Sequence, residues 1–433
     1  MKDSGYAYVT PDELRIGWYV DLELGWMSHP FPKGRFRITS ERQIDTLRGM
    51  GLKRVRIVPS GMDPPPSAEP VAAEMSDHVP VAVDGSVDRP DARSDAGFLG
   101  RRDDAFEHQR AQLEHCDRQF DAAIRQYRKI VACVAHEPLT ASTLCQELVA
   151  SLVSEMLGQR ESSIRLLSES SSDRAWVHPV NVTVLSLLLG KALGLHAEPL
   201  HQLGMAALLH DVGKVRLPDR ARLSDASLAP AEYRQYQSHV LLGVAIAQQL
   251  GMPASVQDTI AQHHEMMDGS GFPHQLPGSG ISLAGKVLAL VNRYENMCNP
   301  VRTSAAATPH QALSLIFSRM KDQHDITVLA AFIRMMGVYP PGSVVQLSDS
   351  RYALVVSVNS ARPLKPRLAV HDLDHAAQDA LMLDLEYAPK SGIRRSLQPE
   401  QLPREAMDCL APRRRICYFF ERAADPVRGE TLG

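Results

Sequence analysis

Two stretches concentrate residues that bind metals and move protons. Leu208 to Asp219, LLHDVGKVRLPD, sets His210 beside Asp211. They end an amphipathic segment whose Met205, Leu208, Leu209 and Val212 share one face, before Gly213 and Lys214 break it. His263 to Pro273, HHEMMDGSGFP, puts two adjacent histidines and two acids just ahead of a glycine-rich turn. Two further histidines have similar settings: His178 opens HPVNVTVLSLLLGKALG, and His239 sits in YQSHVLLG. Neighbouring side chains on a helix diverge by about 100°, so His210 and Asp211 suit two faces of one ion or a bridge between two. Imidazole with carboxylate is a borderline-hard donor set that fits Fe, Mn or Zn. A pair of such ions bridged by Asp211 would hold a hydroxide and clamp phosphoryl oxygens. A lone histidine on an apolar face is ordinary core. Five at helix ends, two of them adjacent, are not. His196, His201, His274, His310 and His324 lack that setting and read as structural or surface residues.

These residues need helices to position them, and the sequence supplies them. The chain has 433 residues, too many for one compact core, so two or three domains are expected. Residues 1–60 alternate in short runs: RIGWYVDLEL and KRVRIVPS read as strands and SERQIDTLRGMG as a short helix, giving a small α+β module. Residues 61–103 turn to Pro, Ser, Asp and Ala without periodicity and read as a flexible linker. Over 104–172, QLEHCDRQFDAAIRQYRKIVACV and STLCQELVASLVSEMLGQ repeat apolar residues at i, i+3, i+4 and i+7, a helical connector that packs on the next domain or a dimer partner. Helical periodicity continues through 173–340, where all the His/Asp motifs lie. Over 341–400 the period becomes two in SVVQLS, YALVVSVN and RLAVHDL, a small β appendage. Residues 401–433 read as a surface tail, with Arg413, Arg414 and Arg415 a solvated face. No internal repeat is evident. The fold class expected is mainly α, a helical metal-binding bundle with a small N-terminal α+β module and a small C-terminal β appendage.

Composition narrows the function. Hydrophobic residues make up 44% and charged residues 22%, as in an ordinary globular protein. A formal net charge of -3 gives no bulk field for nucleic acid, so an anionic ligand must be held by local cations or metals. No basic-then-apolar signal pattern opens the chain, and no apolar run is long enough to span a bilayer. The six cysteines are scattered without a Cys-x-x-Cys pair, which points to a reducing cytoplasm and away from a zinc ribbon.

HDVGKVRLP, then SHVLLG, then HHEMMDGSGFP together resemble the HD-GYP family of bacterial phosphodiesterases. The resemblance runs from about Asp173 into VYPPGSVVQLSDSRYALVV, and ELRIGWYVDLELGWMSHPF is similar to a domain of unknown function often fused ahead of HD-GYP domains. It implies an HD-type helical bundle around two, sometimes three, metals that hydrolyses cyclic di-GMP to pGpG, GMP or both. Carried onto this sequence, it implies that His178, His210 and Asp211 bind the first metal, with Asp211 bridging, and that His239, His263 and His264 bind the second. Lys214 matches the lysine facing the scissile phosphate. Asp268, Gly269, Gly271, Phe272 and Pro273 match the signature turn at the substrate, with Phe272 in place of the usual tyrosine. Glu265 matches an acid that orients ligands. The implied metals are two divalent ions, Fe or Mn, with Zn or Mg as alternatives. Implied partners are cyclic di-GMP, diguanylate cyclase (GGDEF) domains and a second copy in a homodimer.

The sequence also departs from the family pattern. KVLALVNRYENMC puts Asn292 where a ligand aspartate is usual, with Glu295 as the second acid three residues on. An amide oxygen is a weaker ligand than a carboxylate. Arg174 stands where three-metal members carry glutamate, so no third metal is expected. NPVRTSAA keeps only Arg302 of a substrate-binding basic segment. Three readings follow. The first is a cyclic di-GMP phosphodiesterase weakened by Asn292. The second is a catalytically impaired relative acting as a cyclic di-GMP sensor or protein-interaction module. The third is a phosphohydrolase of the wider HD group acting on another phosphoester.

Overall fold

A computed structural model describes residues 7–22, 35–49, 52, 54–58, 95–158, 162–169, 173–222, 228–301, 305–371, 380–388 and 391–422. The linker expected over 61–103 lies outside the described residues up to position 94, as does Arg302. The chain divides into two units, Met1–His108 and Gln109–Gly433.

In the first unit, β1 (Ala7–Val9), β2 (Tyr19–Asp21), β3 (Arg35–Arg37) and β4 (Val55–Val58) form an antiparallel sheet in the order β1-β4-β2-β3, with helix α1 (Glu41–Gly49). Its core is Leu14, Val20, Leu22, Ile38, Ile44, Leu47, Val55 and Ile57. Ile44 and Leu47 stand one helical turn apart on α1, and β2 and β4 supply the facing residues.

The second unit is largely helical. Helix α2 (Asp95–Cys133) straddles the boundary, and within the unit its Cys116, Phe120, Ile124, Tyr127 and Ile130 recur every three or four positions and are buried. After α3 (Pro138–Leu157) comes a strand, β5 (Ser162–Leu166). Helices α4 (Arg174–Ala192), α5 (Ala197–Leu209), α6 (Asp219–Arg222), α7 (Pro230–Gln237), α8 (His239–Gln249), α9 (Ala254–Gln262), α10 (Leu283–Cys298), α11 (Pro309–Arg319) and α12 (Ile326–Met336) follow. Side-chain caps start several of them: Asp173 accepts from Ala175 N at α4, Ser282 from Gly285 N at α10, and Asp325 from Thr327 N and Val328 N at α12. From Val177 through Gly190, α4 is buried on every side, which places it at the centre of the bundle.

The C-terminal strands are β6 (Val344–Leu347), β7 (Tyr352–Asn359), β8 (Arg367–His371), β9 (Leu381–Asp384) and β10 (Ile393–Leu397), followed by α13 (Arg404–Leu410) and β11 (Tyr418–Arg422). With β5 they form a seven-stranded antiparallel sheet. This corrects two expectations. Residues 104–172 are not wholly helical, because β5 pairs with both β7 and β11. Residues 401–422 are not a surface tail: Tyr418, Phe419 and Phe420 are fully buried on the helical core. The apolar run Ile416–Phe420 gains a dry environment only by pairing with β5, some 250 residues earlier in sequence, so local patterning could not reveal it. The sheet is therefore built into the bundle. Among the described residues, no helix is long and apolar enough to cross a membrane.

Candidate metal centre

The segment carrying His210 and Asp211 leaves the helix because α5 ends at Leu209, with His210 as its C-cap and a tight 3-10 turn over Val212–Arg216. That turn packs against the start of α8. A β-carbon on Gly213 would lie 2.0 Å from the His239 carbonyl oxygen, so only glycine allows the approach. This contact carries His239 to Asp211. His263 caps the C-terminus of α9, and α4 contributes His178.

These side chains form two groups that share Asp211: His178, His210 and Asp211, and Asp211, His239, His263 and His264. Asp211 Oδ2 lies 3.4 Å from Nε2 of both His178 and His210. Its Oδ1 faces the other group, 3.4 Å from His239 Nε2 and 3.9 Å from His263 Nε2. One carboxylate is thus split between two sets of imidazoles, and all but the partly exposed His264 are buried.

The tautomers follow from the outer contacts. Nδ1 of His210, His239 and His263 each faces the backbone carbonyl three residues back, of Ala207, Tyr236 and Ile260, at 2.7, 2.5 and 2.6 Å. A carbonyl only accepts, so each Nδ1 donates and each Nε2 turns a lone pair inward. His178 Nδ1 is held in the same way by the Glu295 carboxylate. Nε2 of His178 then faces Nε2 of His210 at 3.2 Å, and His239 faces His263 at 3.2 Å. Paired lone pairs this close repel unless a cation lies among them. Asp211 Oδ1 is also buried without a hydrogen-bond partner. An orphaned carboxylate oxygen among inward-facing imidazole nitrogens fits divalent metal ions at both groups.

The electrostatics agree. Burial pushes His239 down to about 4, with the nearby Lys214 and His210 adding to this and Asp211 opposing it. Burial, together with neighbouring imidazoles, holds His263 and His264 well below the ordinary histidine value. These rings stay neutral, as ligands must. Burial alone would raise Asp211, but Lys214, His210 and His178 outweigh it and hold the carboxyl well below its usual range. Lys214 Nζ donates to Asp211 Oδ2 at 2.6 Å. Burial works against its charge, yet Asp211 and Tyr236 prevail and its pKa is raised.

Two cavities open on the centre. One, of about 560 Å³, is lined by Tyr127, Arg174, Trp176, His178, Asp211 and Lys214, among others. The other, also about 560 Å³, is lined by Tyr233, His263, His264, Phe272, Asn292 and Arg293, among others. Asn292 is buried, and its Oδ1 accepts a bond from Asn296 Nδ2 at 2.7 Å. The signature turn is mixed. Phe272 stacks on His264 with centroids 4.4 Å apart, and Gly271 passes so close that an added β-carbon would lie 2.5 Å from backbone atoms of Glu265 and Met266. Gly269 has φ 76°, and Pro273 follows a cis bond. Asp268 is exposed and caps its own turn through Ser270. Among the described residues, Glu265 bonds no imidazole ring. Its oxygens accept from His274 N and Leu276 N at 2.7 and 2.9 Å and pin the loop.

Glu295 is the residue whose part the sequence concealed. Besides His178, it accepts from Asn299 at 2.9 Å and Asn181 at 3.4 Å, and it faces Arg174 at 3.9 Å. It is a carboxylate that orients a candidate ligand histidine from behind. Its place one turn after Asn292 was the signal available.

Comparisons with known proteins agree in outline. Residues 143–328 match the HD domain family, a span that includes both groups of candidate ligands. Residues 8–143 match a domain of unknown function, DUF3391. The chain is 28% identical over 362 residues to a cyclic di-GMP phosphodiesterase of Pseudomonas aeruginosa, covering 83% of each protein. It is 24% identical over 193 residues to a cyclic di-GMP phosphodiesterase of Borreliella burgdorferi, covering 44% of this chain and 50% of that one. An HDG"Y"P protein from Bdellovibrio bacteriovorus matches in structure with a TM-score of 0.40 and 14% identity, over 76% of this chain and 98% of that one.

Proposed function

We propose that this chain, an HD-domain protein with a DUF3391 module ahead of it, is a metal-dependent phosphodiesterase that opens cyclic di-GMP to pGpG, GMP or both. The observation that carries the reading is the pair of imidazole groups sharing the two oxygens of Asp211. His178, His210 and Asp211 would hold one divalent ion, and Asp211, His239, His263 and His264 the other, Fe or Mn being the ions suited to this donor set. Such a pair supplies a deprotonated water at neutral pH and neutralises charge on phosphoryl oxygens.

The chain's own residues do the rest. Backbone carbonyls and Glu295 hold His178, His210, His239 and His263 in the tautomer a ligand needs before substrate arrives. Lys214, held against Asp211 at the wall of the first cavity, is placed to offset charge on a phosphoryl oxygen. Trp176 in that cavity, and Tyr233 and Phe272 in the other, offer aromatic surface for the two purines.

The test is hydrolysis of cyclic di-GMP by the full chain loaded with Mn or Fe, with products separated by chromatography beside metal analysis. Two ions per chain with linear dinucleotide or mononucleotide formed is the expected result. Two ions with tight cyclic di-GMP binding and no turnover would establish the sensor reading instead, which the engaged oxygen of Asn292 favours.

A further inference from the structure

An asparagine beside a metal site is ordinarily ambiguous, because either end of its amide can face the ions. At Asn292 the ambiguity is removed from outside the site. Arg174 Nη2 bonds the Asn296 side chain, and its Nε donates to the Asn299 carbonyl at 2.5 Å. A guanidinium only donates, so the Asn296 atom facing it is Oδ1. Asn296 Nδ2 is then turned to Asn292, where it donates to the backbone oxygen at 2.8 Å and to Oδ1 at 2.7 Å. The backbone oxygen only accepts, which fixes the same orientation a second time. What Asn292 has left is Nδ2. Among the described residues the hydrogen bonds of the Asn292 side chain use its oxygen alone, and Asn292 and Asn296 both line the cavity that His263 and His264 share.

We infer that the Arg174–Asn296–Asn292 chain makes position 292 a hydrogen-bond donor for an anionic phosphoryl oxygen rather than a metal ligand. An amide nitrogen has no lone pair to give a cation, and its hydrogens carry positive charge. The group that holds the ion beside His178 therefore consists of three protein side chains, and the charge lost with an acid at 292 returns as an oriented dipole backed by a guanidinium. Naming the anion as a phosphodiester rests on the phosphodiesterase reading. The orientation of the amide does not.

The experiment titrates the full-length protein with Mn²⁺ and, once loaded, with inorganic phosphate. Asn292→Ala should leave both Mn²⁺ affinities within about twofold of wild type and weaken phosphate about tenfold, the loss expected for one bond to a charged oxygen. A tenfold loss of Mn²⁺ affinity, or unchanged phosphate binding, overturns the inference. Asn296→Asp is the second variant. Its carboxylate cannot donate to either Asn292 oxygen, so the bonds that orient the Asn292 amide are lost and its oxygen can turn toward the site; phosphate should weaken while Mn²⁺ tightens. Unchanged phosphate binding in this variant also overturns the inference. If the titrations behave as expected but wild type opens no cyclic di-GMP, the substrate assignment fails and the donor assignment stands.

Discussion

Gly213 offers the sharpest test of how the centre is assembled, because it has no side chain to bind metal or substrate. A β-carbon there would sit 2.0 Å from the His239 carbonyl oxygen and 2.5 Å from Gly243 N, both backbone atoms in the first turns of α8. Backbone cannot swing aside as a side chain can. Reaching an ordinary contact of 3.4 Å takes about 1.4 Å of separation between the Asp211–Gly213 turn and α8. His239 rides on α8, and its Nε2 now stands 3.4 Å from Asp211 Oδ1, so that separation opens the shared carboxylate. Overpacking of this kind costs about 1–3 kcal/mol of stability, which a unit with this much buried core survives. Misplacing a catalytic group by about 1 Å costs on the order of 100-fold in rate. Gly213→Ala should therefore stay folded, lose the ion held by His239, His263 and His264, and hydrolyse cyclic di-GMP about 100-fold more slowly. The checks are a thermal melt, metal analysis and a rate measurement on the same preparation. Two bound ions and a rate within threefold of wild type would refute the packing argument.

Asp211→Ala should remove most bound metal and all hydrolysis with the helical circular dichroism intact, since both groups depend on its oxygens; retained metal would exclude a bridging role. His263→Ala should halve the metal content by emptying one group, whereas a purely structural histidine would lower the melting temperature and leave the ion count alone. His324 provides a pH test away from the ligands: burial, helped by Arg293 and opposed by Asp268, holds it at about 4 against an ordinary 6.5. The unfolded chain takes up a proton below pH 6.5 and the folded one does not, so His324 contributes stability above 6.5 that is lost as pH falls toward 4, roughly 3 kcal/mol in all. His324→Gln should flatten the melting temperature over that window relative to wild type, and parallel curves would dismiss the assignment. A chain beginning at Gln109 should fold and bind metal, because residues 1–108 have their own core; aggregation or metal loss would show that the first unit is needed.

The candidate ligands were legible because their pattern is local. His210 with Asp211 and His263 with His264 are adjacent in sequence, and each histidine sits where a helix starts or stops. The structure brings His178, His210, Asp211, His239, His263 and His264 together. Asn292 was legible only as a substitution. Which way its amide faces depends on Arg174, 118 residues earlier, and no periodicity in either segment carries that information.

What stayed hidden has one physical cause, which is polar residues buried against a distant strand. Asn181 lies on α4 and Asn299 follows α10, and nothing local in the sequence marks either of them. In the fold, Asn181 donates to Ile416 O at 3.1 Å and accepts from Tyr418 N at 2.9 Å, while Asn299 accepts from Ile416 N and donates to Ile416 O, each at 2.8 Å. Both asparagines also donate to Glu295, which holds His178. The backbone leading into β11 therefore satisfies the amides that fix the carboxylate that turns a metal-facing histidine. Each group in that chain is buried, and each would carry a desolvation cost if its partner were missing. The residues read as a surface tail are thus part of what sets the tautomer of His178. A catalytic unit cut before Ile416 would keep every candidate ligand and lose the support that aims one of them.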